Sequence, residues 1–147
     1  MPITRAQPGT QVVVGDGVTL TVFDADSDPS ADPDIPLSLM ITYGKARIFL
    51  PGDLTPEAES ALLAGDTPLD ATVLRVPREG HREANDERFL AAVDPQVAVL
   101  AVEAGNRFGL PHPETLERLA ALDAILYRTD EVGTVHLVTD GEELWVR

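Results

Sequence analysis

The sequence has no cysteine, which excludes disulfide staples, thiol catalysis and zinc or iron–sulfur centres held by cysteine. The redox compartment stays open, because a chain without thiols is safe in either. Aromatic residues make up only 5%, so the core must be aliphatic. Basic residues are scarce: 11 Lys and Arg stand against 25 Asp and Glu, for a net charge of −14. That field repels phosphate backbones and anionic membranes, so direct nucleic-acid binding by the isolated chain is not expected. No apolar run approaches the ~18–20 residues that cross a bilayer. The opening Met1-Pro2-Ile3-Thr4-Arg5 lacks the apolar stretch of a signal peptide. What remains is a 147-residue chain with 44% hydrophobic content, enough to bury roughly 70% of its unfolded surface in one core. One domain over 1–147 is expected, and extended disorder is not.

Val12-Val13-Val14, Gly15-Asp16-Gly17 and Val18 to Phe23 read as a β-hairpin, from the alternation of the second arm and its Gly/Asp turn. Asp24 to Pro36, dense in Asp and Pro, reads as a solvated loop. Leu37 to Tyr43 and Ala46 to Leu50 flank Gly44-Lys45 as a second hairpin, whose near-continuous apolar second arm predicts burial on both faces. Thr55-Pro56-Glu57 is a helix start, and Gly65 stops that helix after Ala64. A strand is expected over Ala71 to Val76, a loop over Pro77 to Glu83, and a helix from Asn85-Asp86-Glu87 to Val93. Val97 to Val102 reads as a buried strand, Glu103 to His112 as a loop. A third helix starts at Pro113-Glu114 with Leu116, Leu119, Ala120 and Leu122 on one face. Ile125 to Tyr127, Thr134 to Thr139 and Leu144 to Val146 close the chain as short strands. Strands alternating with helices predict an α/β layered domain.

Three loops follow buried strands, where sites in α/β folds usually lie. They are Leu50-Pro51-Gly52-Asp53, Val76-Pro77-Arg78-Glu79-Gly80-His81, and the stretch from Gly105 to Pro113 that holds Asn106, Gly109, Pro111 and His112. Singly, Gly52-Asp53 is a turn, His81 and His112 are surface residues, and His136, alternating within a strand, is structural or solvated. Nothing has the spacing of a P-loop, a Rossmann glycine turn, a Gly-x-Ser-x-Gly elbow or a His-Glu-x-x-His helix.

Taken in order, more can be read from these segments. They are Arg47-Ile48-Phe49-Leu50-Pro51-Gly52-Asp53 with Glu57 and Glu59 behind it, Ala71 to Pro77, Asn106-Arg107-Phe108-Gly109, Pro111-His112-Pro113-Glu114, and Tyr127-Arg128-Thr129-Asp130 with Gly133. Together they resemble the ComEC-type DNA-internalisation (competence) proteins, in the C-terminal half of their metallo-β-lactamase-fold domain. The resemblance runs from about Gly9 to Gly141. It implies half of an αββα sandwich, a mixed sheet with about three helices. It also implies a dinuclear zinc or manganese site that activates water for phosphodiester-type hydrolysis. The family's ligands come from a His-x-His-x-Asp-His motif, a Gly-Asp aspartate and histidines of the later loops.

This sequence departs from that set. It has no His-x-His-x-Asp-His motif, carries Arg78-Glu79-Gly80-His81 in place of a His-His-Gly-Ser signature, and reads Gly109-Leu110-Pro111 in place of Gly-His-Pro. Asp53 alone matches a ligand position, and one carboxylate cannot hold two metal ions. Glu79, His81 and His112 are the residues a rewired site would use, although Arg78 adds positive charge beside them. The expectation is therefore a non-catalytic module, a scaffold or interaction domain, with no cofactor of its own. Its partner would be a homodimer mate or an N-terminal half-domain. The alternative is a metal-dependent hydrolase completed by that half; an unrelated acidic α/β binding domain is a third reading. The resemblance further implies an extracytoplasmic domain, reaching a membrane only through a longer parent protein.

Overall fold

Seven strands pair in the order in which the chain makes them, β1 to β7. They are β1 (Gln11–Gly15), β2 (Val18–Phe23), β3 (Ser38–Tyr43), β4 (Ala46–Leu50), β5 (Val73–Arg75), β6 (Val97–Leu100) and β7 (Ile125–Arg128). Here a computed structural model describes residues 7–23 and 37–147; the loop expected over 24–36 and the opening pentapeptide lie outside the described residues. The first four strands are antiparallel and β4 to β7 are parallel. Helices α1 (Pro56–Ala64), α2 (Glu87–Val93) and α3 (Pro113–Ala120) make the three crossovers, and a one-turn helix α4 (Thr129–Val132) follows β7. A separate hairpin, β8 (Leu137–Thr139) with β9 (Leu144–Val146), ends the chain. The domain is thus mixed α/β, with one large sheet and its helices.

Parallel neighbours joined by right-handed crossovers in a constant direction place every crossover helix on the same side of the sheet. The packing agrees. Phe49, Leu74, Ala98 and Met40 share one core cluster with Leu62 of α1, Phe89, Leu90 and Val93 of α2, and Leu119 of α3. The registers Met40 opposite Phe49, Phe49 beside Leu74, and Leu74 beside Ala98 put the four strand residues on one face. Phe49 is completely buried there, tilted between the rings of Phe23 and Phe89.

The opposite face carries its own row. Val12 pairs with Leu20, Leu20 with Ile41, Ile41 with Ile48, Ile48 with Val73, Val73 with Val97, and Val97 with Ile125. One aliphatic side chain per strand therefore crosses the whole sheet on the side without crossover helices. Burial along it is uneven: Val73 and Val97 are buried, Leu20, Ile41 and Ile48 are half-buried, and Val12 and Ile125 are exposed. This corrects the expectation that β4 is buried on both faces, since only Phe49 of Ile48-Phe49-Leu50 is fully covered.

The β8–β9 hairpin approaches this side at the start of β4. The Lys45 N–H donates to the Gly141 carbonyl at 2.6 Å, and Lys45 pairs with Glu142. Gly44 permits that approach: a Cβ there would collide with the Gly141 backbone. Between the hairpin and the sheet lies an open cleft of about 690 Å³, bordered by Val97, Ile125, Tyr127 and Trp145.

Candidate functional site

The parallel strands end at three loops, and local chemistry sets the shape of each. After β4, Gly52 turns the chain with a positive φ. Asp53 then projects into solvent, 3.9 Å from the Arg75 guanidinium at the end of β5. After β5, Pro77 cannot donate to the ladder, and the chain enters a tight turn over Pro77–Gly80. Arg78, Glu79 and Gly80 all adopt left-handed conformations, with φ of 47°, 52° and 79°. For the two residues with side chains this costs about 1–2 kcal/mol each. Such strain collects at functional turns held by their surroundings. Gly80 is the tightest point: a Cβ on it would lie 2.7 Å from the Pro111 Cβ. Its carbonyl accepts the His112 N–H at 3.0 Å, so the second loop is locked onto the third.

The third loop is organised by Asn106. Its Oδ1 accepts the N–H groups of Phe108 and Leu110, and its Nδ2 donates to the carbonyls of Glu103 and Leu110. Gly109 supplies a positive φ, and Leu110-Pro111 is a cis peptide. Beyond the loop, the Thr129 hydroxyl both accepts from the Val102 N–H and donates to the Val102 carbonyl, tying the ends of β6 and β7 together. Arg128 makes a two-pronged pair with Asp130, at 3.2 and 2.6 Å, and also reaches Glu131. That pairing holds the Asp130 carboxyl below the usual aspartate range.

His81 and His112 meet edge to face, with ring centroids 4.8 Å apart. Their Nδ1 atoms are engaged: His112 Nδ1 accepts the Arg82 N–H at 3.0 Å, and His81 Nδ1 accepts the Glu83 N–H at 3.3 Å. A nitrogen that accepts a backbone N–H carries no proton, so in the neutral rings the proton sits on Nε2. Partial burial, the Arg78 charge and His112 hold His81 below the usual histidine range.

Beneath this loop lies a residue whose role the sequence did not disclose. Glu59 of α1 is only 1% exposed. Its Oε1 accepts the Asn85 N–H, and its Oε2 accepts the Asp86 N–H at 2.9 Å. The carboxylate thus caps the entry to α2, where Asp86 in turn accepts the Arg88 N–H. Burial pushes the Glu59 carboxyl above the ordinary glutamate range, and the two backbone donors pull against that. Arg118 of α3 completes the frame by donating to the carbonyls of Arg82, Ala84 and Asn85. The available signal was an acid three residues before Leu62, on the buried face of α1.

Of the candidate ligands, the structure brings His81 and His112 together, leaves Asp53 exposed beside Arg75, and leaves Glu79 exposed in the strained turn. Among the described residues no three His, Cys, Asp or Glu side chains gather as a metal ion needs. A metal-bound histidine normally ligates through one nitrogen while the other donates its N–H to an acceptor. Here Nδ1 faces a donor in both rings, and Nε2 holds the proton. Among the described residues, these strand-end donors do not by themselves form a metal-ligating set. Gly52, Asn106, Gly109 and Pro111 serve as backbone supports of the loops.

Fold and loops define a mixed α/β layer with helices on one face and its candidate chemistry at the ends of the parallel strands. The chain is similar to ComE operon protein 3 of Bacillus subtilis (strain 168), at 29% identity over 108 residues, 74% of this chain. It spans only 14% of that protein's length. No family model matches the sequence, and no solved structure matches it. Among the described residues no helix is long and apolar enough to cross a membrane.

Proposed function

We propose that this chain is a metallo-β-lactamase-like half-domain of the competence DNA-uptake kind, acting as a non-catalytic interaction module. The observation that carries the reading is the aliphatic row on the face that lacks crossover helices, which is half-buried at Leu20, Ile41 and Ile48 and exposed at Val12 and Ile125. Apolar surface contributes about 25 cal/mol per Å² when covered, so each further 100 Å² adds about 2.5 kcal/mol to docking. Soluble monomers seldom leave more than a few hundred Å² of such surface open. The occupant is the sheet face of a companion half-domain, stacked to complete a two-sheet sandwich. The similarity to ComE operon protein 3 supports the competence association. The engaged Nδ1 atoms and the exposed, arginine-paired Asp53 support the non-catalytic part.

A second reading rests on the strained Arg78-Glu79-Gly80 turn and the histidine pair at the strand ends. In it, a companion half supplies the ligands and the assembled pair is a zinc- or manganese-dependent hydrolase. The docking face itself is tested with Ile41→Thr and Ile48→Thr, which keep β propensity and remove apolar area. The isolated variants should unfold within about 1 kcal/mol of the parent, because half-buried outer residues support little of the existing core. Losses above about 2 kcal/mol for each, the scale of a filled core position, would mean that the row is already internal and would overturn the docking reading.

A further inference from the structure

The β1 edge of the sheet is separate from its open face. β1 has no neighbour on its outer side among the described residues, and Val12, Val13 and Val14 are 47%, 74% and 62% exposed. Edge strands are ordinarily blunted by charge or proline, yet Gln11–Gly15 contains neither. A bulge between Val13 and Gly15 is its one irregularity.

The pairing pattern shows which backbone groups of β1 have no partner among the described residues. Val22 accepts the Gly9 N–H at 2.8 Å and donates its own N–H to the Thr10 carbonyl at 2.9 Å. Alternation along an antiparallel ladder then turns Leu20 toward β1 as well, with Val12 opposite it facing inward. Gln11 and Val13 are left with their N–H and C=O groups pointing outward.

We propose that β1 pairs antiparallel with β1 of a second copy, about a two-fold axis at Val12. In that register Gln11 of each copy lies opposite Val13 of the other, and both free residues of each strand exchange their hydrogen bonds. No other alignment about a two-fold axis within the strand uses both so fully, because Gly15 is already opposite Val18. Val12 meets its counterpart directly, and the aliphatic row continues across the junction from one sheet into the next.

Charge selects the same place. The chain carries 25 acids, and from Gln7 to Phe23 the only one is Asp16. Two copies at −14 each repel over most of their surfaces, but the hairpin edge is nearly neutral. The antiparallel arrangement also sets the two Asp16 carboxylates at opposite ends of the paired segment. The proposal does not depend on the function of the open face.

The absence of native cysteine makes the register directly testable. Directly opposed residues of a non-hydrogen-bonded pair sit about 4.5 Å apart at Cα, within the span that a disulfide bridges. Val12→Cys should therefore give a covalent dimer under mild oxidation at tens of micromolar. Val138→Cys, an exposed control on β8, should cross-link at least tenfold more slowly. Sedimentation of the parent chain should show a dimer that tightens with added salt. Val13→Pro removes an outward N–H that β2 does not use, and should weaken the dimer at least tenfold while leaving circular dichroism unchanged. Should that variant fail to fold, Val12→Glu keeps every backbone donor and should weaken the dimer as strongly by opposing two carboxylates on the axis. Equal cross-linking of the two cysteine variants would overturn the proposal. So would a folded Val13→Pro or Val12→Glu chain that dimerises like the parent, or a dimer lost only on Ile41→Thr and Ile48→Thr.

Discussion

Replacing Glu59 with glutamine changes one oxygen for an amide nitrogen and little else in shape. In the native chain each carboxylate oxygen takes one backbone donor, from Asn85 and from Asp86. Glutamine can satisfy one of them. Its NH₂ then faces the second N–H, leaving a buried donor without an acceptor and an amide without a partner. An unsatisfied buried donor costs about 1–3 kcal/mol. Against this, the neutral side chain escapes the desolvation that burial imposes on the carboxylate. The expected net loss for Glu59→Gln is about 2 kcal/mol, a fall in Tm of about 4–8 °C for a domain of this size. Urea unfolding followed by circular dichroism measures it, with an unchanged slope showing that the unfolded reference is the same.

The pH dependence of this difference has a definite sign. Because burial holds the native Glu59 pKa above that of the unfolded chain, the native state binds the proton more readily. Its contribution is fully present below the ordinary glutamate pKa and is lost as pH rises through the native value. Parent and variant should therefore differ most in acid and less at neutral pH. A loss under about 0.5 kcal/mol across that range would refute the capping role of Glu59.

Gly80→Ala places a Cβ against Pro111 at a left-handed position; thermal denaturation should show at least about 1–3 kcal/mol of destabilisation, and a neutral result would mean the two loops are not locked together. Asp130→Asn should cost about 1 kcal/mol at neutral pH. The native Asp130 pKa is lowered by Arg128, so the penalty should vanish as pH falls through that value, which urea titrations at several pH values will show. Elemental analysis of the isolated chain should find less than about one zinc or manganese ion per molecule; stoichiometric metal that Asp53→Ala removes would reinstate the hydrolase reading. Nuclease assays on single- and double-stranded DNA should be blank for the isolated chain, and metal-dependent cleavage lost in Asp53→Asn would contradict the non-catalytic assignment.

Local signals carried much of the architecture. Gly15-Asp16-Gly17 and Gly44-Lys45 marked both hairpins, and Thr55-Pro56 and Asp86 marked helix starts that the structure retains. Periodicity was less informative about where ladders stop. The strand expected over Ala71 to Val76 narrows to Val73–Arg75. Ala71 donates to Val93, the Thr72 carbonyl accepts from Gln96 and Val97, and Pro77 has no proton to extend the other end. Thr134 to Thr139 shortens to Leu137–Thr139, although His136 still exchanges backbone bonds with Arg147. Ala120 turns outward from the α3 face that Leu119 buries. Run length could not separate a strand covered twice from one covered once, because the outer row of β4 is as apolar as the inner one. In the site, residue type suggested His81 and His112 as ligands. Only the neighbouring Arg82 and Glu83 amides reveal which ring nitrogen is protonated, and no spacing rule encodes that.

The sequential strand order bears on how this domain comes into being. Every strand of the large sheet is laid beside the one made just before it, so pairing can keep pace with synthesis and never waits for a distant segment. Such local wiring favours fast, stepwise assembly. The clasp between Gly44-Lys45 and Gly141-Glu142 is different in kind. It joins the second hairpin to the β8–β9 turn, which follows every strand of the large sheet, so it can close only after β5 to β7 have been made. The β8–β9 hairpin is then a latch that follows the large sheet rather than a part of its stepwise pairing.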